Sequence, residues 1–160
     1  MTRGNARQDI VQDDDDRKRL LTDLERSILR YDWELLAFVI LSNHLHLLLK
    51  TPQPNLAKGM QAFLSGYAVW SAKRRRRPGH WFQGRYKAEM IEDESDYWTV
   101  RRYIHLNPVR AGLVVRPEDW EWSSYPGYLA AGRRRPWVPP SPANPSRPVS
   151  NPPVKCRAED

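Results

Sequence analysis

The chain has 160 residues, 40% of them apolar and 28% charged, and carries a net charge of +7. That length supports one domain with a proper core, and a single cysteine, Cys156, excludes an intrachain disulfide or a cysteine-based zinc cluster. The longest apolar run, Leu35 to Leu41, is far too short to cross a bilayer and no signal-peptide core opens the chain, so a cytoplasmic protein is expected.

The charge is unevenly spread. Residues 41–90 hold nine Lys/Arg against one Asp/Glu, whereas residues 1–40 hold seven against nine. A concentrated basic region points to a polyanionic partner, and nucleic acid is the commonest.

Taken in order, Leu20, Leu21, Leu24 and Ile28 recur at helical spacing and predict a helix from Asp15 to Tyr31. The acidic run Asp13 to Asp16 suits its N-terminus as a solvated cap. Trp33 to Leu41 and His44 to Lys50 read as strands. Ser42-Asn43 between them fits a turn or bulge, and a single strand through both is also open. Alternation along a strand puts His44 and His46 on one face. Two imidazoles held side by side are a start for a divalent metal site, but the pair alone fits two half-buried histidines with no metal better, and only the rest of the chain reverses that order.

Asn55 is placed to cap a second helix whose stripe is Leu56, Met60, Phe63, Leu64, Tyr67 and Trp70, running to about Lys73. The basic run Lys73 to Arg77 follows, then a Pro78-Gly79 turn. His80 to Lys87 interleaves aromatic and basic side chains, as a strand would that packs on one face and meets phosphates and bases on the other. Ser95 is expected to cap a third helix, Asp96 to Asn107, terminated by Pro108. Tyr103 and Asn107 share one face of it, with His105 on another side. The aromatic stretch Pro117 to Tyr128 is expected to pack back over the domain. From Arg133 onward no periodic apolar pattern survives, so the chain divides into a domain at 1–132 and a Pro-rich disordered tail at 133–160.

At this point the sequence resembles a family. Ser42-Asn43-His44-Leu45-His46-Leu47-Leu48-Leu49 with Thr51-Pro52-Gln53-Pro54-Asn55-Leu56 is similar to the histidine-hydrophobic-histidine (HUH) region of single-tyrosine transposases. Gly79-His80-Trp81-Phe82-Gln83-Gly84-Arg85-Tyr86-Lys87 and Arg102-Tyr103-Ile104-His105-Leu106-Asn107-Pro108-Val109-Arg110-Ala111-Gly112-Leu113-Val114 match the same family in the same order. Within it the chain looks like the REP-associated tyrosine transposases and their insertion-sequence relatives, over about residues 3–128.

The resemblance implies an α+β fold of the HUH-nuclease type (ferredoxin- or RRM-like), an antiparallel sheet with helices packed against it. It implies cleavage and rejoining of single-stranded or hairpin DNA with Mg²⁺ or Mn²⁺, by a monomer or homodimer. Carried over by position, His44, His46 and Asn107 would be metal ligands and Tyr103 the nucleophile, forming a 5′-phosphotyrosine link. A phenol needs nearby positive charge to ionise; Arg101 and Arg102 are candidates to supply it and fit plain surface positions equally well. Lys73, Arg74, Arg75, Arg76, Arg77, Arg85 and Lys87 would hold the DNA backbone. Family members carry a strand before the stretch Arg3 to Asp9, where this chain starts. The sheet is therefore expected to lack that strand, through a late start, decay or supply by another chain. Two other functions fit the same motifs: a DNA-binding relic that no longer cuts, and a metal-dependent phosphodiesterase in which water attacks.

Overall fold

The computed structural model describes residues 9–76, 82, 86–129 and 154–159. Helix α1 (Asp14–Tyr31) starts where Asp13, in extended conformation, accepts the Asp16 N–H at 3.0 Å. It ends at Asp32, whose φ of 55° is the left-handed geometry that a short acidic side chain tolerates. Strands β1 (Glu34–Ile40) and β2 (His44–Lys50) follow as an antiparallel hairpin. The Leu41 N–H donates to the His44 carbonyl at 2.9 Å across Ser42-Asn43, so the segment is a tight turn and not one continuous strand.

Helix α2 (Leu56–Arg75) buries Met60, Phe63, Leu64 and Tyr67, the stripe its sequence predicts. Asn55 precedes it but does not cap it with its side chain. Its amide instead donates to the Tyr31 carbonyl at 2.9 Å and accepts from the Trp33 indole at 2.8 Å, tying the helix to the end of α1. The contact is close enough that a Cβ at Gly59 would collide with the Trp33 ring.

Strand β3 is Lys87–Met90, so Lys87 opens the strand expected to begin at His80. Helix α3 (Glu94–Arg110) is longer at both ends than expected. Asp93, not Ser95, caps it, accepting the Asp96 N–H at 2.7 Å. Pro108 lies inside it. A proline forbids only its own N–H bond and restrains the residue before it, and burial of Asn107 and Pro108 holds the last turn in place. The stop comes at Gly112 (φ 69°): its N–H bonds the Val109 carbonyl and the Leu113 N–H bonds the Pro108 carbonyl, a Schellman closure. The aromatic stretch does pack back. Trp122 and Ser124 bond β1 at Ile40 and Phe38, and the Trp120 indole donates to the Ile40 carbonyl at 3.0 Å. The short helix α4 (Tyr125–Leu129) follows.

The last element corrects the expected tail. Val154–Glu159 forms strand β4, paired antiparallel with β2 on one side and β3 on the other, giving the order β1-β2-β4-β3. Its sequence alternates, Val154 and Cys156 apolar against Lys155 and Arg157 basic, and Cys156 is fully buried opposite Leu47. Pairing on both edges and burial of one face order a segment whose composition alone argued for disorder. Residues 133–153 and 160, the rest of that tail, lie outside the described residues.

The sheet separates two cores. On one face, Phe38, Ile40, Leu45, Leu47, Leu49 and Cys156 pack against α1 and α2. On the other, Ala37, Val39, Leu41 and Leu48 meet Ile104 of α3. The fold is α+β with an antiparallel sheet, as expected. Among the described residues no helix is long and apolar enough to cross a membrane.

Candidate active site

The β1–β2 turn and the alternation of β2 aim His44 and His46 at the α3 face. Their ring centroids are 5.1 Å apart and nearly perpendicular. His44 Nδ1 lies 2.7 Å from Asn43 Oδ1; an amide oxygen can only accept, so this contact holds the proton on Nδ1 and the lone pair on Nε2.

His46 is 1% exposed, and neither of its ring nitrogens has a hydrogen-bond partner among the described residues. Burial, with the electrostatic effect of His44, Arg157 and Lys155 adding to it, pulls its pKa down to about 3. The ring is therefore neutral at physiological pH, the form a metal ligand needs. Leaving a buried polar group unsatisfied costs about 1–3 kcal/mol, and coordination would remove that cost.

Helix α3 lays Tyr103 against this pair. The Tyr103 ring meets His46 edge to face with centroids 5.5 Å apart. Asn107, one turn on and buried, donates from Nδ2 to the Tyr103 carbonyl at 3.0 Å, so Oδ1 is the atom it would offer a cation. By donor chemistry the two imidazoles and one amide fit a divalent cation. No group of three His, Cys, Asp or Glu that could hold one exists among the described residues, so carboxylates do not complete the set.

The cations beside Tyr103 are not those expected. Arg101 lies over Trp98 and Tyr97, donating to the Tyr97 hydroxyl at 3.2 Å, and Arg102 is exposed. Instead Arg110 and Lys155 sit over the Tyr103 ring, at 5.0 and 5.1 Å from its centroid. His105 faces elsewhere, its Nε2 2.8 Å from Ser124 Oγ, and burial lowers its pKa to about 4.

The basic run is placed differently from its expected role. Lys73, Arg74 and Arg75 form the last turn of α2, on the opposite face of the sheet from Tyr103. Arg74 pairs with Asp13 at 2.8 Å, Asp15 at 3.0 Å and Asp16 at 2.7 Å, and Arg75 pairs with Asp16 and Asp13. The acidic start of α1 is thus an ion-pair partner as well as a cap. Those pairs hold the Asp13 carboxyl down at about 2, the Arg74 bond contributing most. Lys73 and Arg76 are exposed. Lys87 is exposed on β3, opposite Arg157 and on the face of the histidines. Arg77 and Arg85 lie outside the described residues. The residues missed from sequence are Arg110, Lys155 and Arg157; the one available signal for the last two was the alternation from Val154 to Arg157.

Three comparisons with known proteins bear on this geometry. The family model described as "Transposase IS200 like" matches residues 1–107. A Haemophilus influenzae protein named for the REP-associated tyrosine transposases is 30% identical over 107 residues, covering 59% of this chain. The chain spans 60% of the length of that curated relative. A solved structure of a REP-associated tyrosine transposase bound to a REP hairpin superposes with a TM-score of 0.69 at 20% identity, covering 82% of this chain and 76% of that one. That last likeness is one of fold.

Proposed function

The chain belongs to the IS200-like transposase family, and from that premise we propose that it cleaves and rejoins single-stranded or hairpin DNA through a covalent link to Tyr103. The observation that carries this reading is the Tyr103 ring packed on His46, whose buried ring nitrogens have no hydrogen-bond partner among the described residues. A hairpin substrate is favoured because the fold relative is bound to one. His44 Nε2, a His46 nitrogen and Asn107 Oδ1 would hold Mg²⁺ or Mn²⁺. The bound ion would supply Lewis-acid polarisation of the phosphodiester and offset charge in the transition state.

Tyr103 Oη attacks phosphorus, its proton passing to solvent. The Oη–P bond forms as the P–O3′ bond breaks, and the departing 3′-oxygen takes up a proton. The product is a 5′-phosphotyrosine and a free 3′-hydroxyl. Because the ester bond energy is retained, a 3′-hydroxyl can reverse the step and join strands without ATP. The neutral ligands leave the cation's charge uncompensated, which favours an anionic phosphate. Arg110, over the Tyr103 ring, adds positive charge where the phosphate must dock.

The test is a 3′-labelled DNA hairpin with single-stranded flanks, incubated with the protein and Mn²⁺ and run on a denaturing gel. A labelled protein adduct that disappears in Tyr103→Phe is expected. Cleavage that survives Tyr103→Phe would assign the attack to water, and binding without cleavage would make the protein a DNA-binding module.

A further inference from the structure

The family match ends at residue 107, yet the strand beside His46 comes from residues 154–159. Directly opposed residues of antiparallel strands share a face. In register, His46 faces Arg157 and Arg157 faces Lys87, so one row across β2, β4 and β3 reads imidazole, guanidinium, ammonium. The next row on the same face sets Leu48 beside Lys155 and Lys155 beside Glu89. Lys155 Nζ lies 5.1 Å from the centroid of the Tyr103 ring.

Resting on the reading of Tyr103 as nucleophile, we infer that Arg157 and Lys155 are DNA-contacting residues of this site. They grip the phosphates of the strand presented to Tyr103, and Lys87 continues the track to the sheet edge. Three features support it. Both cations stand on a strand paired on each side, so they are held in place as loop residues are not. Arg157 stands directly opposite His46 and Lys155 Nζ lies over the Tyr103 ring, which puts their charges at the site and not merely on its rim. The α2 cations Arg74 and Arg75 are engaged by aspartates on the far face, whereas Lys155 and Arg157 stand on the face that carries Tyr103 and His46. Lys155 also meets Glu89 at 3.5 Å, but the Glu89 side chain is 74% exposed and can turn to water when a phosphate arrives.

The test uses the full chain and the same hairpin. Affinity without metal is measured against NaCl for wild type, Arg157→Gln, Lys155→Met and Arg157→Lys, with Lys58→Met on α2 as control. These side chains keep the aliphatic stems that pack on the strand. Each neutralising change is expected to lower the slope of log affinity against log salt by about 0.7, the loss of one single-strand phosphate contact. Arg157→Lys and Lys58→Met are expected to keep the wild-type slope. Should the neutral variants fail to fold, wild-type protein answers the question: amine acetylation read by mass spectrometry should show Lys155 protected by the hairpin and Lys58 labelled equally with and without it. Folded variants with the wild-type slope, or Lys155 labelled equally in the complex, would overturn the inference. Wild type that binds with these slopes but never forms an adduct removes the Tyr103 chemistry and keeps the phosphate grip; an adduct with unchanged slopes does the reverse.

Discussion

On the α1/α2 face of the sheet, Leu45, Leu47 and Leu49 disappear under Phe63, Tyr67 and Leu20, and the buried Tyr67 hydroxyl has its partner in the Ile10 carbonyl at 2.6 Å. Charges that border this face are paired with one another, Arg74 and Arg75 with Asp13, Asp15 and Asp16. On the α3 face the apolar set is smaller, and His46 is sealed in among cations with two ring nitrogens that have no hydrogen-bond partner among the described residues. The same strand, β2, serves both faces because its side chains alternate. One face is assembled for stability, and the other carries a local cost that the proposed cation would remove.

This contrast can be broken from either side. The largest effect is expected from His46→Leu. It should reduce Mn²⁺ uptake and the DNA adduct to background while raising the melting temperature, because an apolar side chain replaces a buried group without partners; the gain is about 1–2 kcal/mol, measured by calorimetry and the gel assay together. A lower melting temperature would show that the histidine is structurally satisfied. Phe63→Ala should do the opposite: a loss of about 3–5 kcal/mol in urea unfolding, with the folded fraction still forming adduct. Asp16→Ala removes the fully buried carboxylate that accepts from Gln12 N–H and pairs with both arginines, and a loss of about 1–3 kcal/mol is expected.

The smallest effect sharpens the picture through pH. Asp13 is held at about 2 against an ordinary 3.8. Its folded state binds fewer protons than the unfolded state in that interval, so stability rises with pH there. The contribution is complete above pH 3.8 and is lost as pH falls toward 2. Asp13→Asn should flatten the acid limb of the melting-temperature profile, and added salt should shrink the difference between the two proteins.

What the sequence disclosed follows from which interactions are local. The two-residue period of β2 and the stripe of α2 each encode a face, so the histidine pair and the first core were legible from residue spacing. The pairing of Tyr103 with Asn107 was legible as a shared helix face, but the approach of Tyr103 to His46 depends on how α3 crosses the sheet. Helix ends went astray where burial outweighed a local rule, as at Pro108. Asp13, Asp15 and Asp16 looked like a cap because Arg74 and Arg75, which they engage, are distant in sequence. Lys155 and Arg157 were hidden for the same reason, since a strand of six residues after a long proline-rich stretch announces no partner.

The position of β4 has a consequence for biosynthesis. β2 and β3 both leave the ribosome before the strand that joins them, and at roughly 5–20 residues per second the delay is several seconds. Throughout that wait the nascent chain shows an open, leucine-rich edge, the kind of template on which neighbouring polypeptides aggregate. Slowing translation before residue 154, or shielding the edge with a chaperone, should therefore change the yield of soluble protein far more than either would for a sheet zipped up in chain order.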